Sequence, residues 1–526
     1  MLGILSFAGF TILVAIIAYL ATRKTDENSS DGYFLGGRSL TAGVIAGSLL
    51  LTNLSTEQIV GLNGQAYTEG LSVMAWETLA AIAMVVTAIF LLPRYLKGGI
   101  TTVPQFLEKR YDTSTKTITS ALFLTGYVVV LLPVILYSGA VAISTMFDVS
   151  TMLGVSDTAA LTICVWGIGI IGSIYAVFGG LKAVAVSDSI NAIGLLLGGL
   201  LIPVFGLLAI GDGSIFDGLN ILVDENPNKF VSIGGPENSV PFSTIFTGMM
   251  LVQLFYWGTN QQIIQRALGA KNLKEGQKGL LLASFLKILG PLIVVLPGII
   301  AYHLFKGELE VPDQAYPALV NAVLPEYLVG FFAAVLFGAI LSSFNSVLNS
   351  SVTLFGIDIY KQHINPEATE KTVVKYGKMF GIVLAIAAMM IAPLIANAGS
   401  LFAYLQEVNG IYSIPILTII VVGYLTKRVP AIAAKIGIIS GSLLYIISQF
   451  ILKPRYDEYP HFLHVMAILF VLNIIIMLVI GKFMPREKDF ELEYTKQVSI
   501  EPYKYVKQVG IAICLLVVGI YIYFAQ

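Results

Sequence analysis

Charge-poor apolar runs of about 20 residues recur along nearly the whole of this chain, and a run of that length is what a helix needs to cross the hydrocarbon core of a bilayer. Composition agrees. Hydrophobic residues make up 56% of the 526 positions and charged residues only 12%, about half the charged share of a soluble domain. Mean hydropathy is +0.83. A soluble globular fold is therefore excluded, and so is an outer-membrane barrel, whose strands are about 10 residues of alternating polarity. The net charge of -1 comes from sparse, balanced charges, so no basic surface points to nucleic acid. Cys164 and Cys514 lie in apolar runs without CxxC spacing, and the four histidines form no metal-ligand pattern, so these read as packing residues.

The expected fold class is an all-α polytopic membrane protein with about fourteen spans, near 3–22, 41–66, 70–97, 115–146, 155–178, 183–211, 241–266, 277–304, 328–360, 374–396, 399–425, 430–452, 461–483 and 507–525. Arg23 and Lys24 follow the first run and no basic residue precedes it, the reverse of a signal peptide, so it is expected to stay as a helix with its N-terminus outside. Under the positive-inside rule that choice collects most loop Lys and Arg on one side, among them Arg94, Arg110, Lys116, Arg266, Lys271 and Arg428, and leaves only Lys229, Lys306, Lys453 and Arg455 outside. With an even number of spans the C-terminus is expected outside as well.

Polar residues inside spans carry the functional signal, because ionisable groups in a bilayer are costly and face cavities or partners. The run Thr52-Asn53-Leu54-Ser55-Thr56-Glu57-Gln58 interrupts the second span, and Gln253, Tyr256, Trp257, Gly258, Thr259, Asn260, Gln261 and Gln262 interrupt the seventh. Each interrupted span opens a block of about five helices, the pattern of an inverted-repeat transporter with a midplane site. The alternative is that these amides only join helices to one another. Glu77 and Lys287 lie in the third and eighth spans and read as either a wet pocket or a structural ion pair; Asp188 reads as either an interfacial residue or a cation attractor near an inner exit. Ser342, Ser343, Ser346, Asn349 and Ser350 share much of one helical face, either as oxygen ligands for a hard cation or as small packing residues.

At these residues the chain resembles the solute:sodium symporter family, specifically its bacterial sodium/glucose or sodium/galactose cotransporter-like branch. The resemblance rests on Gly32 to Ser39, Asn53 to Gly61, Gly179 to Asp188, Tyr256 to Gln261, Ile264 to Arg266, Ala339 to Ser343, and Gln406, Glu407 and Gly410. It implies a leucine-transporter-like fold: 1–40 as an additional helix and inner loop, 41–211 as a first five-helix repeat, 212–240 as an outer loop, 241–425 as the inverted second repeat, and 426–526 as three further helices. It implies sodium bound by the carbonyls of Leu51, Leu54 and Ala339 and the hydroxyls of Ser342 and Ser343, with Asp188 on the ion's way out. The implied sugar site is Asn53, Gln58, Glu77, Gln253, Tyr256, Asn260, Lys287 and Gln406, and the implied gates are Leu62, Trp76, Tyr256 and Phe402.

The resemblance further implies a sodium-coupled importer of a hexose such as glucose or galactose, working by alternating access in the lipids of a bacterial inner membrane. Three departures bear on the sugar: Ala80 replaces a serine, Gln253 an asparagine and Trp76 a tyrosine. A polyol, sialic acid or a carboxylate is the alternative solute, and a non-transporting solute sensor a more distant one. Asp188 and Ser346 would suit a second sodium, although Asn345 stands where two-sodium relatives tend to have threonine. No HExxH or GxSxG motif supports an enzyme.

Overall fold

A computed structural model describes residues 9, 11–14, 16–20, 29–306, 308–309, 312–397, 401–456 and 458–525, with the side chains of 30, 175–179, 326–327, 396–397 and 401–404 outside that description. Among the described residues the structure is helical, and its one extended pairing is a parallel bridge between Leu40 and Ala270. The first half contains α1 (Ala42–Asn53), α2 (Thr56–Glu69), α3 (Ala75–Val86), the short α4 (Val103–Arg110), α5 (Thr113–Gly126) and α6 (Asp157–Ile210). The second half contains α7 (Met250–Gly258), α8 (Gln261–Leu268), α9 (Leu273–Ile288), α10 (Glu326–Thr353), α11 (Glu370–Ile391) and α12 (Leu401–Leu425). Three more follow: α13 (Ala431–Ile446), α14 (Phe462–Phe483) and α15 (Val506–Tyr523).

Ten helices among the described residues are long and apolar enough to cross a membrane, or eleven if the pair Leu273–Ile288 and Pro291–Phe305, bent by 43°, counts as one span. The difference from the fourteen expected has a local cause. Runs 41–66 and 241–266 are each cut by a break in mid-span, and the first run is described only as the short apolar stretch Thr11–Leu20. Within α6, Gly180 at φ 58° turns the chain where two expected spans meet; a Cβ there would lie 3.0 Å from the Tyr33 carbonyl, so both the backbone angle and the space favour glycine.

Two large apolar clusters fill the bundle on either side of the breaks. On the outer helices, side chains such as Ile468, Val471, Leu472, Ile475, Leu515 and Leu516 remain exposed, as expected where the surrounding solvent is lipid.

Several basic residues counted in the loops are in fact internal. Arg266 is fully buried in α8, and Arg110 and Lys116 are buried as well. Arg110 caps the end of α12 by donating to the carbonyls of Gly423 at 2.9 Å, Val429 at 3.0 Å and Thr426 at 3.0 Å. The segment from 484 to 505 lies across the same face. Its backbone N–H groups at Arg486, Phe490 and Thr495 donate to the carbonyls of Arg428, Lys427 and Lys97, and Leu273 N–H donates to Ser499, so it links the ends of helices from both halves.

Candidate functional site

The first break follows from a change of hydrogen-bond partner. Ser55 N–H donates to the Asn53 carbonyl at 2.8 Å instead of to Leu51, and Gln58 N–H donates to Ser55 instead of to Leu54. The carbonyls of Leu51 and Leu54 thereby lose their helical partners, which a membrane interior tolerates only beside a protein-lined cavity or an ion. Opposite them, α10 presents Ala339, Ser342 and Ser343, all buried. Ser343 Oγ donates to the Thr52 carbonyl at 3.1 Å, and Thr52 Oγ1 lies 3.1 Å from Ser346 Oγ. Ser342 Oγ is buried and faces the Asp188 carboxylate. This oxygen-rich seam between a broken helix and a serine face has the donor chemistry that suits a hard monovalent cation.

Asp188 is buried within the bundle. It accepts from Ser48 Oγ at 2.7 Å, and Ser48 accepts from Arg266 Nε at 3.2 Å. Arg266 also donates to Ser346 Oγ and to the Gln262 carbonyl. A buried acid, a buried base and the hydroxyls of Ser48 and Ser346 thus join the serine face to α8.

The second break lies between α7 and α8. Asn260 N–H donates to Phe255 at 2.9 Å, skipping the Tyr256 carbonyl, and Asn260 then caps α8 by accepting from Gln262 N–H at 3.1 Å. Tyr127, from the span continuing α5, holds this corner by donating to Asn260 Oδ1 at 2.5 Å and accepting from Gln262 N–H at 3.1 Å.

The two breaks face each other across a cavity lined by Asn53, Glu57, Gln58, Trp76, Gln253, Tyr256, Asn260, Gln262, Gln406, Asn409 and Tyr412, with Leu131, Val252 and Leu405. Six expected solute residues therefore meet at one cavity: Asn53, Gln58, Gln253, Tyr256, Asn260 and Gln406. Asn53 Nδ2 donates to Tyr256 Oη at 3.3 Å. Gln253 uses both ends of its amide within the protein, donating to the Trp76 carbonyl at 2.9 Å and accepting from Trp257 Nε1 at 3.1 Å.

Glu77 and Lys287 do not line this cavity. Both are fully buried one layer behind it, ion-paired to each other, and Glu77 also accepts from Gln58 Nε2 at 2.5 Å. Of the expected gates, Trp76 and Tyr256 line the cavity, Leu62 is buried among the apolar side chains of α2, and Phe402 lies outside the described side chains.

Sequence reasoning assigned no site role to Thr52, Glu57, Tyr127, Gln262, Asn409 or Tyr412. Thr52, Glu57 and Gln262 lie in the polar interruptions themselves, so their signal was present. A tyrosine in an apolar span has no such signal until its hydroxyl is seen to have a partner.

A model of the sodium:solute symporter family matches residues 33–441. The uncharacterized symporter YidK of Escherichia coli (strain K12) is 49% identical over 99% of this chain and 90% of its own length. The sodium/glucose cotransporter of Vibrio parahaemolyticus is 34% identical over 82% of each chain. A solved structure of a Na+-coupled sialic acid symporter, in a substrate-bound outward-open state, superposes with a TM-score of 0.77 over 93% of this chain and 99% of that one; at 18% identity this likeness speaks to fold. The leucine-transporter-like fold is therefore present. Two helices broken at mid-bundle around a polar cavity, in a chain matched over this length, make this protein a multi-pass membrane transporter that uses Na+ and belongs to the sodium:solute symporter family.

Proposed function

We propose that the protein imports a sugar, a hexose such as glucose or galactose, together with Na+ across a bacterial inner membrane, with both termini outside. The observation that carries this reading is the single cavity between the two breaks, walled by amides and by the rings of Trp76, Tyr256 and Tyr412. Amides match the donors and acceptors of sugar hydroxyls, and aromatic faces match the apolar faces of a sugar ring. The sodium/glucose cotransporter relative supports the same class. Human sodium/myo-inositol cotransporter 2, 29% identical over 85% of this chain, favours a cyclitol as the second reading.

In this proposal sodium sits between the freed carbonyls of Leu51 and Leu54, the carbonyl of Ala339 and the hydroxyls of Ser342 and Ser343. It joins α1 to α10 and so favours the state in which the cavity is formed; an ion shifts such an equilibrium only through its different affinity for the two states. Residues 41–211 and 241–425 act as the inverted repeats that exchange access. Leu62, Trp76, Tyr256 and Phe402 cover the solute, Glu77 and Lys287 hold Gln58 in place, and Asp188 draws sodium inward on release. The membrane potential adds about 2.3 kcal/mol per charge per 100 mV to inward sodium movement.

The test is uptake of labelled glucose, galactose and myo-inositol into proteoliposomes under an inward sodium gradient, with potassium as the control. Sodium-driven accumulation of a hexose is expected; equal uptake in both salts would remove the coupling, and accumulation of the cyclitol alone would replace the hexose.

A further inference from the structure

We propose that Glu57 makes this cavity selective for the charge of its solute: it takes polyhydroxylated molecules that are neutral or carry a protonated amine, and it rejects those that carry a carboxylate. The inference rests on the proposed solute site and deepens it.

Three residues that line the cavity each carry an oxygen buried without a hydrogen bond: Glu57 Oε2, Asn53 Oδ1 and Gln262 Oε1. Their residues are 8%, 8% and 2% exposed. A buried polar atom left without a partner is costly, and native proteins keep few of them. Here three cluster around one cavity, all acceptors, and one belongs to a carboxyl group.

Buried cations exist nearby but are committed elsewhere. Lys287 is paired with Glu77 behind the wall, and Arg266 is held by Ser48, Ser346 and the Gln262 carbonyl. Neither lines the cavity, and among its described lining residues Glu57 is the one acid, with no lysine or arginine beside it. A solute hydroxyl or ammonium brings the donors that the three oxygens lack. A solute carboxylate brings only more acceptors to a wall whose unpartnered oxygens need donors, and finds no cation among the lining residues.

The experiment compares three probes of one ring type: glucose, glucosamine and glucuronate. Each is offered as a labelled solute to the full chain in proteoliposomes under a sodium gradient, first in the wild type and then in Glu57→Gln, which keeps the shape and replaces the carboxyl group by an amide. In the wild type, glucuronate uptake is expected to be at least about a hundredfold poorer than that of the better of the other two. In Glu57→Gln that gap should narrow by about tenfold or more, and glucosamine should lose about tenfold relative to glucose.

Glucuronate taken up as well as glucose by the wild type overturns the Glu57 assignment and leaves the sugar reading standing. Glucosamine carried without glucose overturns the neutral-hexose reading and supports Glu57. An unchanged order of the three probes in Glu57→Gln overturns the assignment. Uptake of glucuronate alone, or of none of the three, overturns both. The wild-type ranking stands as a test even if the variant fails to insert.

Discussion

Glu57 and Glu77 are both buried carboxyl residues on neighbouring helices, and they are treated in opposite ways. Glu77 receives Gln58 and pairs with Lys287, so its oxygens are satisfied within the chain. Glu57 lines the cavity and leaves Oε2 without a partner. The same contrast separates the cavity from the end of the bundle where Arg110 lies. There Asp358, also fully buried, accepts from Thr102 Oγ1 at 2.9 and 3.1 Å and from Ser120 Oγ at 2.9 Å. Arg110 meets three carbonyls. Asp358 and Arg110 are paired within the chain, while Asn53, Glu57 and Gln262, which line the cavity, each keep one oxygen without a partner.

The harshest test of this division is Lys287→Ala, which leaves Glu77 buried without its counter-charge. Breaking such a pair costs about 3 to 5 kcal/mol, so the single variant should insert poorly and melt early, and Lys287→Ala with Glu77→Ala should recover most of the loss. A stable single variant that has lost only solute binding would move the pair into the solute site.

Arg110→Ala should follow, with about 1 to 3 kcal/mol lost for the carbonyls left unpaired. Because these groups do not line the cavity, the melting temperature should fall without any change in which solute is carried. A changed solute preference would mean that the Arg110 cluster and the cavity are not separate.

Ser343→Ala removes a hydroxyl that donates to the Thr52 carbonyl beside the freed carbonyls of the first break. The sodium concentration for half-maximal uptake should rise by about tenfold, equivalent to about 1.4 kcal/mol, with insertion unchanged. An unaltered sodium dependence would place the ion elsewhere.

The smallest effect is expected at Asp313, an acid on the 312–314 turn, outside the membrane-spanning segments and the cavity. Burial pushes its carboxyl from the ordinary 3.8 up to about 6. The folded state therefore holds this proton more tightly than the unfolded state, and stability falls as pH rises from near 3.8 to about 6, then stays level. Asp313→Asn should melt slightly above the wild type at pH 7.5, the two should converge near pH 4, and the solute ranking should not move. A shifted ranking would show that an unpartnered acid need not line the cavity to act on the solute.

The broken helices could be read from the chain because polarity in mid-span is a local signal. Asn53 to Gln58 and Gln253 to Gln262 stand out against any apolar background, and the structure breaks the helices inside or beside both runs. Arg266 shows the limit of that reading. Its place near the end of an apolar run made it look like a loop residue, and only the approach of Ser48 from α1 and Ser346 from α10 makes its burial possible.

The sequence by itself determined that this protein is a helical membrane protein with two interrupted spans at matching places, because apolar run length and mid-span polarity are properties of consecutive residues. Tertiary structure alone decided which of the buried polar groups are already satisfied. Glu57 and Glu77 are both acids inside expected spans, but Glu77 meets Lys287 across 210 positions while Glu57 meets the cavity. The physical reason is that a hydrogen bond or ion pair between distant residues depends on how helices pack, and no local pattern encodes the partner.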